Sequence, residues 1–248
     1  MSQNTESAVQ TIPLELLILT FVPVFLVITI MFYWSHNYKY NLYAVSRMLV
    51  QLLLIGYFLN YIFDSDSSLI MLTIVMIMVV ISSWIAIHNV QKRNKAIYID
   101  ALLSIFVPGI LTFFLITQVV LQLQPWYYPN YFIPLAGMVF ANAMTSLSLA
   151  AERLESEFDR NPNYIECRNL AFKAAMIPQT NALLAVGLVS LPGMMTGQIL
   201  SGVSPLIAAR YQIMVMCMIY GAAGLSSAMY LYLQRKKQPA KEKHDLSI

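Results

Sequence analysis

The chain is poor in charge. Only 11% of its 248 residues are Asp, Glu, Lys or Arg, while 58% are hydrophobic. Soluble domains carry about 25% charged residues, so a water-soluble core of this size is excluded. Cysteine is scarce as well, and Cys167 and Cys217 are too few for a disulfide framework or a zinc site. The three histidines, His36, His88 and His244, form no HExxH motif, and no GxxxxGK[ST] loop is present, so ATP hydrolysis by that route is excluded. The last apolar segment has no lysine to hold a retinal Schiff base. Residues 1–10 carry one acid and no base, so no cleavable signal peptide is expected. A net charge of +3 is too weak to point to nucleic acid. No catalytic residue and no resident cofactor or metal is expected.

Long apolar runs are present instead. A span needs about 20 residues to cross roughly 30 Å of hydrocarbon. Seven segments qualify: 13–34, 44–63, 68–88, 99–121, 131–151, 178–200 and 206–233. The second is the weakest, because Arg47 and Gln51 sit in its first turns. The expected fold is an all-α polytopic membrane protein: a polar segment 1–12, a membrane domain 13–233 and a basic tail 234–248. With the N-terminus outside and the C-terminus inside, fourteen of the fifteen Lys and Arg residues fall on the cytoplasmic side and Arg210 alone falls outside. The aromatic loop at Trp126, Tyr127 and Tyr128 suits a headgroup zone.

Residues 186–202, VGLVSLPGMMTGQILSG, stand apart. They are apolar enough for a membrane, yet Pro192-Gly193 breaks the segment, and Ser190, Thr196 and Gln198 stand where a plain anchor would carry leucine. Broken helices persist at membrane depth only inside protein or beside a water-filled cavity. Ser190, Pro192, Gly193, Met194, Met195, Thr196 and Gln198 are therefore candidates for a translocation path. Arg47 and Gln51 share one helix face and join them, as do Asn142, Thr145, Arg210 and Gln212. Arg47 can equally snorkel to the interface, and Glu15 and Arg210 can pair or snorkel separately. Gly137, Gly187 and Gly197 are candidates for close helix approach. The methionines at 194, 195, 214, 216 and 218 surround Cys217, but the last three alternate along a helix and cannot share one face.

Segment 152–176 holds nine of the 27 charged residues. It is expected as a cytoplasmic loop between the fifth and sixth spans, serving either as a docking surface or as a solvated spacer. Glu152, Arg153, Glu155, Glu157, Glu166, Arg168 and Lys173 are its candidate docking residues.

The run Ser46-Arg47-Met48-Leu49-Val50-Gln51-Leu52, the pair Gly137 and Asn142 in the fifth span, the motif Gly187 to Gln198 and the stretch Ala208 to Gln212 resemble the FetB-type ABC permease family over residues 14–233. The resemblance implies a permease subunit in the bacterial cytoplasmic membrane. It would work as a homodimer with separate ATP-binding subunits that carry ATP and Mg. Its cargo would be iron or another metal, in the direction of export. One departure stands out: the family's Leu-Gly-Ala-Thr-Pro coupling element is absent before Ala174, and the loop is shortened. Either residues 155–173 replace that coupling surface, or coupling is impaired. A non-transporting receptor or scaffold is the alternative. A secondary transporter is a third reading, with few intramembrane acids to support it.

Overall fold

The structure, a computed structural model, describes residues 12–34, 38–63, 67–91 and 93–235. Expectations for residues 1–11, His36, residues 64–66, Lys92, and Lys236, Lys237, Lys241, Lys243 and His244 fall outside the described residues. The chain divides into two compact units, Met1–Asp66 and Ser67–Ile248.

In the first unit, α1 (Leu14–Leu19) and α2 (Val22–Trp34) are separated by a turn at Thr20 and Phe21. Pro23 has no N–H for the carbonyl of Leu19, which interrupts the ladder there, and the Thr20 hydroxyl donates to the Leu17 carbonyl at 2.7 Å. Helix α3 (Tyr38–Phe63) follows, and Phe32 of α2 meets Tyr38 edge to face at 4.9 Å. No residue of α2 is buried.

The second unit is a helical bundle. Its elements are α4 (Ser68–Ala86), α5 (Lys95–Phe114) continued by a π-helical segment (Leu115–Val120), α6 (Pro129–Phe158), α7 (Tyr164–Ala185), α8 (Gly193–Leu200) and α9 (Pro205–Arg235). Local sequence sets the starts. The Asn94 side chain accepts from the N–H of Ile97 at 2.8 Å and caps α5, Asn163 caps α7 through Ile165 and Glu166, and Pro129 opens α6, where its missing N–H costs nothing.

Helix α6 lies at the centre and packs on α4, α5, α7 and α9. The interface is built from small residues: Ala101, Ala136, Ala143, Ala150, Ala171 and Ala175 are fully buried. In lipid there is no hydrophobic force between helices, so close backbone approach through small residues supplies the packing. Gly109 is the tightest case. A Cβ built there would lie 2.7 Å from Phe140 Cε1. By contrast, among the described residues no other helix or side chain comes within 4 Å of a Cβ at Gly137, Gly187 or Gly197.

Six described stretches are long and apolar enough to cross a membrane, namely Glu15–Trp34, Tyr38–Phe63, Ser68–Ala86, Lys95–Val120, Pro129–Phe158 and Pro205–Arg235. The expected sixth span, 178–200, is not one helix. It is the second half of α7, an irregular stretch and the short α8. The charged segment 152–176 also differs from the expected loop. Helix α6 runs on to Phe158 and α7 begins at Tyr164, which leaves a connector of residues 159–163. At 30 residues α6 is about 45 Å long, well beyond the hydrocarbon thickness. Its last turns and the first turns of α7 therefore form a helical hairpin. Tyr164, Cys167 and Ala171 bury its inner side against Leu154 and Leu231. Gln234, expected in the tail, is the buried penultimate residue of α9 and donates to Asp100 Oδ2 at 2.8 Å.

Candidate functional site

The break expected at Pro192-Gly193 is longer than that pair. After Ala185 the backbone makes a tight turn in which the N–H groups of Val189 and Ser190 both reach the Ala185 carbonyl, at 2.8 and 3.2 Å. Gly187 closes it by donating to the Ser190 carbonyl at 2.9 Å, with φ at +83°, a backbone that L side chains rarely adopt. Val186 and Ser190 form an isolated bridge. Pro192 then caps α8 in an extended conformation, and Gly193 is the first residue of that helix. The Pro192 carbonyl accepts from the N–H of Thr196 at 3.0 Å and from its hydroxyl at 3.2 Å. Thr196 is thus turned onto its own helix. Ser190 is exposed beside the turn, Met194 and Met195 are half-buried, and Gly202, with φ at +89°, ends the segment.

Helix α8 packs on α9. Within this pair, two amide oxygens are buried with no hydrogen-bond partner among the described residues: Gln198 Oε1 on α8 and Gln212 Oε1 on α9. Gln212 is 5% exposed. Orphaned acceptors at such a place are costly, and they mark this pair as chemically unfinished. Arg210, two residues before Gln212, is exposed, and Tyr211 lies against Tyr131 with ring centroids 6.0 Å apart.

The α6–α7 seam is, in contrast, satisfied. Asn142 Nδ2 donates to the Met138 carbonyl at 2.8 Å, and its Oδ1 accepts from Gln179 Nε2 at 3.3 Å. One turn on, the Ser146 hydroxyl donates to the Ala175 carbonyl at 2.8 Å. Thr145 is exposed and donates to its own helix at Ala141. Sequence reasoning missed Gln179, because it opens the polar run Gln179-Thr180-Asn181 and nothing local says which of the three meets α6. A polar residue one residue after Pro178 could have drawn notice.

In the first unit, Arg47 and Gln51 do meet. With the Gln51 amide oxygen turned to the guanidinium, Arg47 Nε lies at 3.0 Å and Nη2 at 3.3 Å. The pair belongs to one helix face of α3.

Most of the docking candidates have structural partners. Glu155 accepts from the backbone N–H of Gln91 at 2.9 Å and holds the α4–α5 connector. Glu157 pairs with Arg153 at 2.6 Å. Glu166 accepts from Asn161 at 2.7 Å, and Arg168 donates through Nε and Nη2 to Asn169. Glu152 and Lys173 are exposed on the hairpin surface. Among the described residues no three His, Cys, Asp or Glu side chains come together as a metal site.

The chain is 37% identical over 193 residues to "UPF0014 membrane protein slr1647" of Synechocystis, covering 72% of this chain and 74% of the relative. It is 34% identical over 215 residues to "Probable iron export permease protein FetB" of Escherichia coli, covering 79% and 80%. Against "Protein ALUMINUM SENSITIVE 3" of Arabidopsis thaliana the identity is 33% over 207 residues, covering 77% and 74%. No solved structure matches. With apolar helices throughout and these relatives, this is a multi-pass membrane protein, and it belongs to the UPF0014 family, described as an uncharacterised protein family, whose profile matches residues 14–238.

Proposed function

We propose that the chain is the membrane-spanning permease subunit of an ABC transporter. Its function would be export of iron or another metal, using ATP hydrolysed on a separate subunit. The observation that carries the reading is the interrupted α7–α8 element, packed on α9 with the orphaned amide oxygens of Gln198 and Gln212. Discontinuous helices with free polar groups are how transporters build sites at membrane depth. Seven spans result when α7 and α8 together count as the sixth, with the N-terminus outside and the C-terminus inside.

In this reading two copies of the chain flank the path. The hairpin of α6 and α7 meets the ATP-binding subunit, with Glu152 and Lys173 at its surface. Motion of the hairpin reaches the break directly, because α7 is one helix from Tyr164 to Ala185. The turn at 186–192 then flexes, and the path alternates its access. The Escherichia coli relative's name supplies the cargo class. Soft thioethers at Met194 and Met195 and amide oxygens at Gln198 and Gln212 are the ligand types on offer.

The test is co-expression with the candidate ATP-binding subunit, followed by co-purification and vanadate-sensitive ATP hydrolysis in proteoliposomes, with metal flux as the second readout. A stable complex with metal-stimulated hydrolysis supports the reading. Absence of any complex would favour a receptor or scaffold, in line with the missing Leu-Gly-Ala-Thr-Pro element.

A further inference from the structure

A groove of about 420 Å³ runs between the start of α7 and the end of α9. It has two characters. Its polar lining includes the guanidinium-bearing Arg168 and Arg235, with the Tyr232 ring. Its apolar lining is Phe172, the buried Leu231 and the buried Tyr164.

Part of the polar lining is held in place. Arg168 donates through Nε at 3.2 Å and Nη2 at 2.9 Å to the Asn169 side chain, which orients its guanidinium plane, and Nη1 has no hydrogen-bond partner among the described residues. The Tyr164 hydroxyl donates to the Leu231 carbonyl and locks the two helices together at this level. Burial pushes that hydroxyl up to about 12, while Arg168 and Arg235 both pull it down. Both guanidinium groups line the same groove. No carboxylate lines the groove among the described residues.

The level is also fixed. Arg235 closes the stretch Pro205–Arg235, which is long and apolar enough to cross a membrane. At 31 residues that stretch is about 46 Å long, beyond the roughly 30 Å of hydrocarbon, so the groove at its end lies at headgroup level. In sequence, Lys236 and Lys237 follow directly. Clustered arginines and lysines at the end of a span, with aromatic rings beside them, attract anionic headgroups.

We propose that this groove binds an anionic phospholipid, its phosphate between Arg168 and Arg235 and its first methylenes along Phe172 and Leu231. A small free anion would use the arginines and leave the apolar lining uncovered. A lipid uses both. The site goes beyond the transport reading and does not depend on ATP-driven transport or on cargo.

The test uses the full chain in a zwitterionic detergent. Retention of added phosphatidylglycerol and phosphatidylcholine is read by native mass spectrometry. Selective retention of phosphatidylglycerol is expected. Each basic residue near an anionic lipid surface contributes about fivefold, so Arg168→Gln and Arg235→Gln should each weaken retention about fivefold and together about thirtyfold. Arg168→Lys with Arg235→Lys should keep most of it, and this variant separates lost charge from lost folding. Arg160→Gln, on the connector, should leave retention unchanged. Equal retention of the two lipids, or no loss in the double glutamine variant, would overturn the proposal. So would competition by glycerol 3-phosphate at equal concentration, which would make it a free-anion site. Stoichiometric displacement of the lipid by an ATP-binding subunit would assign the groove to that protein and overturn it too.

Discussion

The Ser146 hydroxyl donates to the Ala175 carbonyl at 2.8 Å, joining α6 to α7 three residues before Pro178. Pro178 has no N–H to give to the carbonyl of Ala174, so the α7 ladder is already thinned at this level. The cross-helix bond steadies the helix where it is weakest. Inter-helix bonds in membranes average about 0.6 kcal/mol. Ser146→Ala should cost about that much in an SDS-unfolding titration. Asn142→Leu should cost about 1–2 kcal/mol, because it strands the buried Gln179 amide.

Gly187→Ala should impair the break without unfolding the bundle. The site is open in space, so the cost is backbone strain at φ +83° alone, about 1–2 kcal/mol. In proteoliposomes metal flux should fall well before the melting temperature does. Pro192→Ala with Gly193→Ala acts from the other side and lets α8 extend backward. Gly193 has nothing within 4 Å of an added Cβ, so the alanine fits. Transport should be lost with folding intact, and normal flux in that variant would remove the flexing role of the break.

Gly109→Ala should destabilise by about 1–3 kcal/mol through overpacking. The Phe140 ring it meets is 1% exposed and has nowhere to move. Gly137→Ala meets nothing and should stabilise the α6 interior by about 0.5–1 kcal/mol. Thermal melting of both variants in detergent checks the pair.

Glu155 and Glu152 should separate folding from docking. Glu155→Ala removes the acceptor for the Gln91 N–H and should lower the melting temperature by an amount equal to about 1–2 kcal/mol. Glu152→Lys and Lys173→Glu alter exposed charge, so stability should hold. Co-purification with the ATP-binding subunit should weaken instead.

Cys167 should resist alkylation in the native protein at about pH 8 and react once SDS unfolds it. Burial pushes its thiol above the ordinary 9.0, and the Glu157 carboxylate adds to the rise. The folded state therefore holds the proton more tightly than the unfolded chain. Stability from this thiol is complete below about pH 9 and falls as pH rises through the folded value. Unfolding midpoints should decline more steeply above that pH in the parent protein than in Cys167→Ala.

Composition and hydropathy determined the membrane class and the helical architecture, since apolar runs of about 20 residues with so few charges have no other stable home. Pro192-Gly193 announced an interruption because proline and glycine act locally on the backbone. The length of the interruption was not legible. The turn at 186–190 depends on which carbonyl the N–H groups of Val189 and Ser190 find, and both find Ala185. The hairpin at 152–176 read as a loop because its charges are dense, yet Tyr164, Cys167 and Ala171 gave it a buried side that only packing against Leu154 and Leu231 could reveal. The bonds of Gln179 to Asn142 and of Gln234 to Asp100 join residues 37 and 134 positions apart. Sequence fixes which groups must be satisfied in a bilayer. Which partner satisfies each of them is decided by how the helices pack, and so is which amide oxygens, at Gln198 and Gln212, are left without one among the described residues.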